Sequence, residues 1–324
     1  MPLAKNKISP PAGKLLVLTP GLGAVSTTFF AGLEAVRRGL SQPYGSLTQM
    51  QTVKLGPRSE NRNLLIKDFL PLTQLEDIVI AGWDIFPDNA HIAAERAGVL
   101  SGEDLAKVAD FLCTIEPMTA AFENQYVRRL RGPNVKNFKT KKDLVEALRA
   151  DIRDAKESTG AARAVMIWCG STEIYIEPSD CHNSIESFEK GLMNNDPAIS
   201  PSQLYAYAAI LEGIPYANGA PNLSADIPVM QQLASENGVP IAGKDFKTGQ
   251  TLLKTVLAPA LKSRMLGLEG WFSTNILGNR DGAVLDDPDS FRSKEVTKTE
   301  LLDTMLQPDL YPELYGNIYH KVRI

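Results

Sequence analysis

The sequence is poor in the residues that build disulfide or metal frameworks. It has only three cysteines, Cys113, Cys169 and Cys181, with no CxxC spacing. That pattern predicts neither a disulfide framework nor a zinc site, and we interpret all three as reduced thiols. The three histidines lie far apart and form no HExxH motif. We therefore expect no structural metal, although an ion held loosely at a phosphate would leave no such signature.

The sequence also lacks long apolar runs and an excess of positive charge. No apolar run reaches the roughly 18 residues of a membrane span, and the N-terminus lacks the apolar core of a signal peptide. The formal net charge is −4 at pH 7, whereas a nucleic-acid binder needs a basic surface for its phosphate contacts. We expect a cytoplasmic protein that has no nucleic-acid or membrane partner and acts on a small molecule.

Strand and helix patterns alternate along the chain. With 324 residues, 44% of them hydrophobic, the chain is long enough for one or two domains. Residues 14–40 predict a strand, a glycine loop and a helix, 77–86 and the start of 162–175 predict further buried strands, and 139–157 predicts a helix. This alternation predicts an α/β fold with a parallel sheet, whose ligand site lies beyond the carboxyl ends of the strands.

The loop after the first predicted strand contains two glycines, Gly21 and Gly23, spaced as in a dinucleotide-binding loop. Bare backbone at such positions lets a pyrophosphate approach the helix N-terminus. The third glycine of the fingerprint is absent, and Ser26 stands in its place. A plain tight turn is an alternative for this loop alone, but the strand before it and the helix after it favour a nucleotide.

Two other strand ends carry polar residues. Asp84 of GWD follows a buried strand, where its carboxylate could bind ribose hydroxyls, cap the next helix, or do both. GSTE, residues 170–173, offers hydroxyls and backbone amides but is an ordinary loop when taken alone. GKDFKTGQT, residues 243–251, predicts either a phosphate site formed by its amides and Lys247 or a helix-capping loop.

The last part of the sequence predicts exposed strands. Residues 269–285 alternate like an antiparallel strand, and the Asp-Gly of GNRDG, residues 278–282, predicts a hairpin turn. Residues 315–324 predict another strand.

Lys294 and Lys298 stand four residues apart in FRSKEVTK. If this segment is helical, the two ammonium groups share a face and repel each other. One interpretation is a solvated basic edge. The other is a pair in which one lysine lowers the pKa of its neighbour, so that the neighbour can transfer protons.

Eight motifs, taken in order, resemble the myo-inositol-1-phosphate synthase family (inositol-3-phosphate synthases). They are GLGAVSTT, GWD, the NQ of ENQYVR, GSTE, LYAYAAILEGIPYANGAPN, GKDFKTGQTLLKTVLAP, GWFSTNILGNRDG and FRSKEVTK. The resemblance implies a Rossmann-like NAD-binding domain at 14–250, after an N-terminal tail at 1–13. It also implies part of an α+β catalytic and tetramerisation domain at 251–324.

The resemblance implies conversion of glucose 6-phosphate to inositol phosphate with NAD and no net redox change. In the family chemistry, C5 of the open-chain sugar is oxidised, a proton leaves C6, C6 attacks the C1 aldehyde, and the product is reduced. We expect a homotetramer if the chain is complete.

The resemblance also implies site residues. By motif position it gives catalytic roles to Lys294, Lys298, Asp245 and Asp281, with Lys247 and Lys254 nearby. It gives cofactor contacts to a larger set of residues: Gly21, Gly23, Ala24, Val25, Asp84, Gln125, Arg128, Cys169, Gly170, Ser171, Thr172, Gly219, Ala220 and Thr248.

The sequence departs from the family pattern at its end. Family chains continue past the point that matches Ile324, and the continuation carries further active-site residues. We therefore expect a truncated chain or a family member without that portion. The alternatives are an NAD-binding protein without turnover and an ordinary NAD-dependent dehydrogenase.

Overall fold

The strands and helices follow one another in the alternating order that the sequence predicts. The computed structural model of the protein describes residues 11–274 and 280–323. The strands are β1 Lys14–Pro20, β2 Thr52–Leu55, β3 Arg62–Leu65, β4 Ile78–Asp84, β5 Met118–Thr119, β6 Ala161–Trp168, β7 Tyr216–Asn218, β8 Ile241–Ala242, β9 Gly270–Thr274 and β10 Tyr319–Arg323. The helices are α1 Ala24–Arg37, α2 Leu47–Met50, α3 Ile66–Phe69, α4 Ala90–Ala97, α5 Gly102–Ala106, α6 Ala109–Cys113, α7 Lys141–Thr159, α8 Ile185–Met193, α9 Pro201–Leu211, α10 Pro228–Asn237, α11 Gly249–Ser263, α12 Asp281–Leu285, α13 Pro288–Leu306 and α14 Pro312–Tyr315.

Six strands form one sheet in the order β5-β4-β1-β6-β7-β8. All neighbouring pairs in this sheet are parallel, as the apolar strand patterns predict. The chain leaves β1 in one direction across the sheet and later crosses to β6 on the other side. This is the doubly wound order, and the gap between the ends of β1 and β6 is its topological switch point. The α/β, Rossmann-like fold class is confirmed.

The sheet is buried because helices cover it. The middle of β1, from Leu16 to Leu18, is buried, as a parallel strand with helices on both faces must be. Helices α7 to α10 contribute to one apolar cluster, and α1 and α4 to α6 contribute to a second. The sheet thus presents only its strand ends to a ligand.

Helix α7 shows why the predicted helix forms where it does. Thr140 accepts a hydrogen bond from the amide of Asp143 at 3.2 Å, and the Asp143 carboxylate accepts one from the amide of Thr140 at 2.8 Å. This reciprocal cap starts the helix. Gly160, at φ 64°, ends it, because glycine adopts the left-handed conformation without steric cost.

The prediction of an antiparallel hairpin near residues 278–282 is wrong. Asp281 and Gly282 begin α12, while Gly278 and Asn279 lie outside the described residues. Strand β9 pairs instead with β10, in parallel register from Gly270 and Tyr319 onward. Parallel strands need a long crossover between them, and the segment that contains α12, α13 and α14 supplies it. The predicted strand at the end of the chain is confirmed by β10.

Helix α11 runs through Pro259 to Ser263, and it packs against α13. Ala258 of α11 meets Leu302 and Leu306 of α13 in a third apolar cluster, which also contains Tyr315. Within the described residues, no helix combines the length and the apolar character that crossing a bilayer requires.

Because the loops after β1 and β6 approach each other closely at Gly21, a side chain at this position should destabilise the fold. Its φ is +93°, and a Cβ there would lie 2.6 Å from the Cα of Gly170. We expect Gly21→Ala to lower the free energy of unfolding by about 2 kcal/mol or more, from backbone strain and this contact. Urea unfolding followed by circular dichroism measures the change.

Gly32→Ala is the matched control for that substitution. Gly32 lies inside α1, and a Cβ there meets no atom within 4 Å. Since alanine favours a helix over glycine, Gly32→Ala should stabilise the protein by roughly 0.5–1 kcal/mol. Equal effects of the two substitutions would contradict the close approach.

Candidate active site

A cleft opens at the switch point between β1 and β6. Its volume is about 520 Å³, within the range of small-molecule and cofactor sites. Loop residues after β1, β4 and β6 line it together with residues from α9 and α12. The lining includes Pro20, Gly21, Gly23, Ala24, Val25, Trp83, Asp84, Phe86, Trp168, Cys169, Gly170, Ser171, Glu173, Tyr205, Arg280 and Asp281.

The glycine loop brings the N-terminus of α1 to this cleft. The amide of Gly21 donates to the carbonyl of Trp83 at 2.7 Å, which fixes the turn. Gly23 is the N-cap of α1, and neither a capping side chain nor an acidic residue occupies the first turn. Ser26, which replaces the third glycine, donates its hydroxyl hydrogen to the carbonyl of Gly21 at 2.6 Å. The helix end therefore offers backbone amides to an anion.

Asp84 binds the backbone of the glycine loop. Its carboxylate accepts hydrogen bonds from the amides of Leu22 at 2.7 Å and Phe86 at 3.0 Å. Burial raises the pKa of Asp84, and those amides oppose the rise. The alternative that Asp84 caps the next helix is wrong, because Asn89 caps α4 by accepting from the amide of Ile92 at 3.1 Å.

The structure brings eight of the proposed cofactor residues to the cleft and leaves six outside its lining. Those that line it are Gly21, Gly23, Ala24, Val25, Asp84, Cys169, Gly170 and Ser171. Those that do not are Gln125, Arg128, Thr172, Gly219, Ala220 and Thr248.

Two of these six residues are engaged elsewhere through their side chains, and a third stands at the start of a helix. The amide nitrogen of the Gln125 side chain donates to Glu123 at 2.8 Å. The Arg128 guanidinium forms an ion pair with Asp289 at 2.7 Å. Thr248 is the N-cap of α11 without a side-chain bond to it. The helix-capping interpretation of residues 243–251 therefore agrees with the structure in position, although the Thr248 side chain makes no cap.

Gly219 and Ala220 hold the loop that carries Asp245. The amide of Asp245 donates to the carbonyl of Ala220 at 3.0 Å, and that of Phe246 donates to the carbonyl of Gly219 at 3.1 Å. A Cβ on Gly219 would lie 2.2 Å from the Phe246 ring, so only glycine fits there. Thr172 is buried beside the cleft loop.

The four proposed catalytic residues lie together. Lys294 and Lys298 stand on one face of α13, and the Lys294 ammonium is 3.8 Å from the carboxylate of Asp281. Burial raises the pKa of Asp245, and the charges of Lys294 and Lys298 oppose that rise. Because Asp281 also lines the cleft, the lysine cluster adjoins the cleft.

Lys298 is not part of a solvated edge. It is only 7% exposed, and its pKa is lowered by burial first and by the charge of Lys294 second, while Asp245 opposes the shift. The prediction that a neighbouring lysine lowers the pKa of its partner is confirmed for Lys298. Burial makes the larger contribution to this pKa shift, and the four-residue spacing of the lysines could not predict it.

The other lysines of the 243–251 loop bind within the protein. Lys247 donates to the carbonyl of Lys244 at 2.6 Å, and the Lys244 ammonium pairs with Asp226 at 3.1 Å. Asp245 between them has a φ of +65°, a conformation uncommon for residues other than glycine. The loop is thus folded to direct Asp245 toward α13.

Glu173 is a cleft residue that the sequence reasoning did not single out. It is 2% exposed, and its carboxyl accepts hydrogen bonds from the amide of Ser202 at 2.8 Å and from its hydroxyl at 2.6 Å. Burial raises its pKa to about 7. The GSTE motif shows that an acid follows the strand. It does not show the hydrogen-bond partner of Glu173, because Ser202 lies 29 residues away at the start of α9.

The segment that follows β6 also holds the lysine helix. The Ser293 hydroxyl donates to the carbonyl of Glu173 at 2.9 Å, and the amide of Tyr175 donates to the carbonyl of Asp289 at 3.0 Å. Within the described residues, no group of three or more histidine, cysteine or acidic side chains is arranged to hold a metal ion.

Comparison with known proteins gives one consistent result. A family model of an NAD-binding domain, described as myo-inositol-1-phosphate synthase, matches residues 15–311. The chain is 54% identical over 322 residues to inositol-3-phosphate synthase 1 of Bacteroides thetaiotaomicron and 33% identical over 308 residues to inositol-3-phosphate synthase 1 of Oryza sativa subsp. japonica. It superposes on a crystal structure of inositol-3-phosphate synthase from Caenorhabditis elegans with a TM-score of 0.87 at 30% identity.

The similarity covers nearly all of this chain and a smaller share of its relatives. It spans 99% of this chain and 74% of the Bacteroides protein, and 90% of this chain and 60% of the rice protein. For the Caenorhabditis structure the shares are 96% and 65%.

The raised pKa of Glu173 predicts a pH-dependent stability. Its folded pKa of about 7 lies above the value of about 4.3 in an unfolded chain. Between these values the folded protein keeps a proton that the unfolded chain has lost, so this contribution to stability falls as pH rises. We expect Glu173→Gln, which mimics the neutral acid, to be more stable than the parent at pH 8 but not at pH 5, by on the order of 3 kcal/mol.

Urea unfolding at the two pH values measures this difference. Glu177→Gln is the control, because the Glu177 side chain is exposed on the same segment and the substitution should leave the pH dependence of stability unchanged. A Glu173→Gln effect of equal size at pH 5 and pH 8 would contradict the proposed titration.

Proposed function

The chain belongs to the myo-inositol-1-phosphate synthase family, and from that premise we propose that the protein acts as an inositol-3-phosphate synthase. This is an isomerase that closes the carbon chain of glucose 6-phosphate into an inositol ring with NAD and no net redox change. The observation that carries the proposal is that Asp281 lines the cleft and contacts Lys294. One residue thus joins a dinucleotide-type cleft to a group of proton-transferring side chains.

The cleft residues fit NAD. A Cβ on Gly21 would clash with Gly170, so this position has no side chain. A pyrophosphate site requires such a position, where the phosphate can approach the backbone. The N-terminus of α1 and the amides of Gly23 and Ala24 would hold the pyrophosphate. Asp84, each of whose oxygens accepts one amide, keeps acceptor capacity for ribose hydroxyls. NAD, when bound, supplies a hydride acceptor for the oxidation and a hydride donor for the later reduction.

Lys298 is the base in this proposal. The oxidation requires removal of the proton of the C5 hydroxyl, and a lysine can accept it only when its amine is neutral. Burial and Lys294 lower the pKa of Lys298, which brings neutral amine closer to physiological pH. Lys294, paired with Asp281, would stabilise negative charge on the substrate oxygen during enolisation and ring closure.

Asp245 and Asp281 position these lysines. Asp245 interacts with both Lys294 and Lys298, and Asp281 contacts Lys294 from the cleft side. Their carboxylates would also orient substrate hydroxyls. We place the boundary between the NAD-binding part and the catalytic part near residue 250, where α11 begins.

The protein is further proposed to act in the cytoplasm as a homotetramer, without nucleic-acid partners. Support for self-association comes from apolar side chains exposed on α11 and on the β9-β10 pair: Leu252, Leu253, Val256, Phe272 and Tyr319. A two-stranded pair is rarely stable without further packing. Light scattering should give a mass several times that of one chain, and a monomeric mass would contradict this assignment.

Substitution of Lys298 tests the function. The 324-residue chain, and the same chain extended by the expected family continuation, are incubated with NAD and glucose 6-phosphate, and phosphorus NMR follows inositol phosphate. We expect product from the extended chain without net NADH absorbance. Lys298→Met should lower turnover by at least about 1000-fold, as loss of a general base does, and calorimetry should show unchanged NAD affinity.

The other outcomes are informative. Net NADH accumulation would identify a dehydrogenase. NAD binding without product from either chain would identify a nucleotide-binding protein without turnover. Lys67→Met is the control variant, because Lys67 lies on the short helix α3 away from the cleft lining, and its turnover should match the parent.

A further inference from the structure

A second buried lysine lies directly behind the lysine helix. Lys254 on α11 is 0% exposed. Its ammonium donates a hydrogen bond to the backbone carbonyl of Lys298 at 2.7 Å and contacts Nε2 of His320. The ammonium also lies 5.5 Å from the centre of the Trp271 ring. In the described part of the chain, no carboxylate forms an ion pair with Lys254.

A buried ammonium without a carboxylate partner is uncommon, because removing the charge from water costs several kcal/mol. Here a carbonyl oxygen, an imidazole nitrogen and an aromatic face take the place of the carboxylate. These groups stabilise a cation without cancelling its charge. The arrangement therefore keeps a net positive charge in the interior.

The hydrogen-bond network assigns the tautomer of His320. The Thr299 hydroxyl donates to the carbonyl of Glu295 at 3.0 Å, so its oxygen can accept from Nδ1 of His320, which is 3.0 Å away. With the proton on Nδ1, Nε2 has a free lone pair and accepts from Lys254. Burial and the Lys254 charge lower the pKa of His320 to about 4, so the imidazole is neutral at physiological pH.

The charge of Lys254 acts on Lys298. Burial and the charge of Lys298 lower the pKa of Lys254 to about 8, while Asp303 opposes the shift. A Coulomb interaction is mutual, so a charged Lys254 also disfavours the charged form of Lys298. The other groups that face Lys298 are Lys294, which acts in the same direction, and Asp245, which opposes it.

We infer that Lys254 and His320 are positioning residues for the lysine site. Lys254 fixes the α13 backbone at Lys298 and places a second positive charge behind the Lys298 side chain, and His320 holds Lys254 in its charged form. The inference rests on the proposed role of Lys298 as the base, and it adds a group that sets the strength of that base. Lys254 itself is not among the residues that line the cleft.

Carbon NMR of the protein labelled at lysine Cε measures the ionisation of each lysine without any need for turnover. The resonances of Lys298 and Lys254 are assigned with Lys298→Arg and Lys254→Arg. In Lys254→Met we expect the Lys298 resonance to lose the inflection that the parent shows where Lys254 deprotonates, because the like charge is removed. Lys254→Arg keeps the charge throughout the titration, so its Lys298 midpoint should lie about one pH unit below that in Lys254→Met.

A matched pair of histidine variants tests the role of His320. His320→Gln retains an acceptor for the Lys254 ammonium and should leave the Lys254 midpoint near the parent value. His320→Leu removes the acceptor, and the Lys254 midpoint should fall. Equal midpoints in the two variants would overturn the assigned role of His320.

The parent protein also gives a direct test that does not depend on the folding of a variant. Its Lys298 resonance should show a second inflection at the pH where Lys254 loses its proton. A single inflection, or equal Lys298 midpoints in folded Lys254→Met and Lys254→Arg, would overturn the inference. Both results are independent of the turnover assay, so a chain that makes no inositol phosphate can still confirm the charge coupling.

Discussion

The contact between the segment after β6 and the first turns of α13 holds the site together. Ser293 donates to the carbonyl of Glu173 at 2.9 Å, and Ser293 immediately precedes Lys294. These residues are 120 positions apart in the chain, so this contact is one of those that bring the lysines to the cleft. The buried carboxyl of Glu173 anchors the same segment to the start of α9. Glu173 therefore contacts both the start of α9 and the helix that bears the lysines, and the bond from Tyr175 to Asp289 supports the same arrangement.

The site concentrates like charges at a cost to stability. Lys254, Lys294 and Lys298 lie on two packed helices, with Asp245 and Asp281 as opposing charges for the α13 lysines and Asp303 for Lys254. Burying ammonium groups without full pairing disfavours the folded state, and the packing of α11 on α13 offsets this. The result is a lowered pKa at Lys298 instead of a strong ion pair, which is the condition that a lysine base requires. Buried charges that are incompletely paired in this way are frequent where chemistry occurs.

The parts of the fold that depend on local pattern could be predicted from the sequence. Buried parallel strands require continuous apolar runs, so β1, β4 and β6 were visible, and the face shared by Lys294 and Lys298 followed from helical spacing. The pairing of β9 with β10 could not be predicted, because alternation fixes which side chains face outward but not which partner strand is used. The helix that begins at Asp281 also differs from the hairpin that an Asp-Gly pair favours.

The chemistry of the site was less visible than its fold. The spacing of the lysines suggested a lowered pKa, but burial, which dominates the shift at Lys298, depends on the packing of α13. The hydrogen-bond partner of Glu173 is distant in the sequence, and those of Asp84 are backbone amides. Neither kind of partner can be predicted from a residue pattern. The roles of Asp245 and Asp281 came from the family resemblance, and the structure adds that both lie beside the lysines.

The proposed function depends on the dinucleotide cleft and the lysine cluster being one site, joined through Asp281. The most direct measurement is the lysine Cε spectrum of the protein during titration with NAD. The Lys294 resonance should shift and saturate with the NAD binding curve, because NAD would enter the cleft that Asp281 lines, next to Lys294. Saturation with NAD that leaves the Lys294 and Lys298 resonances unmoved would contradict the single site.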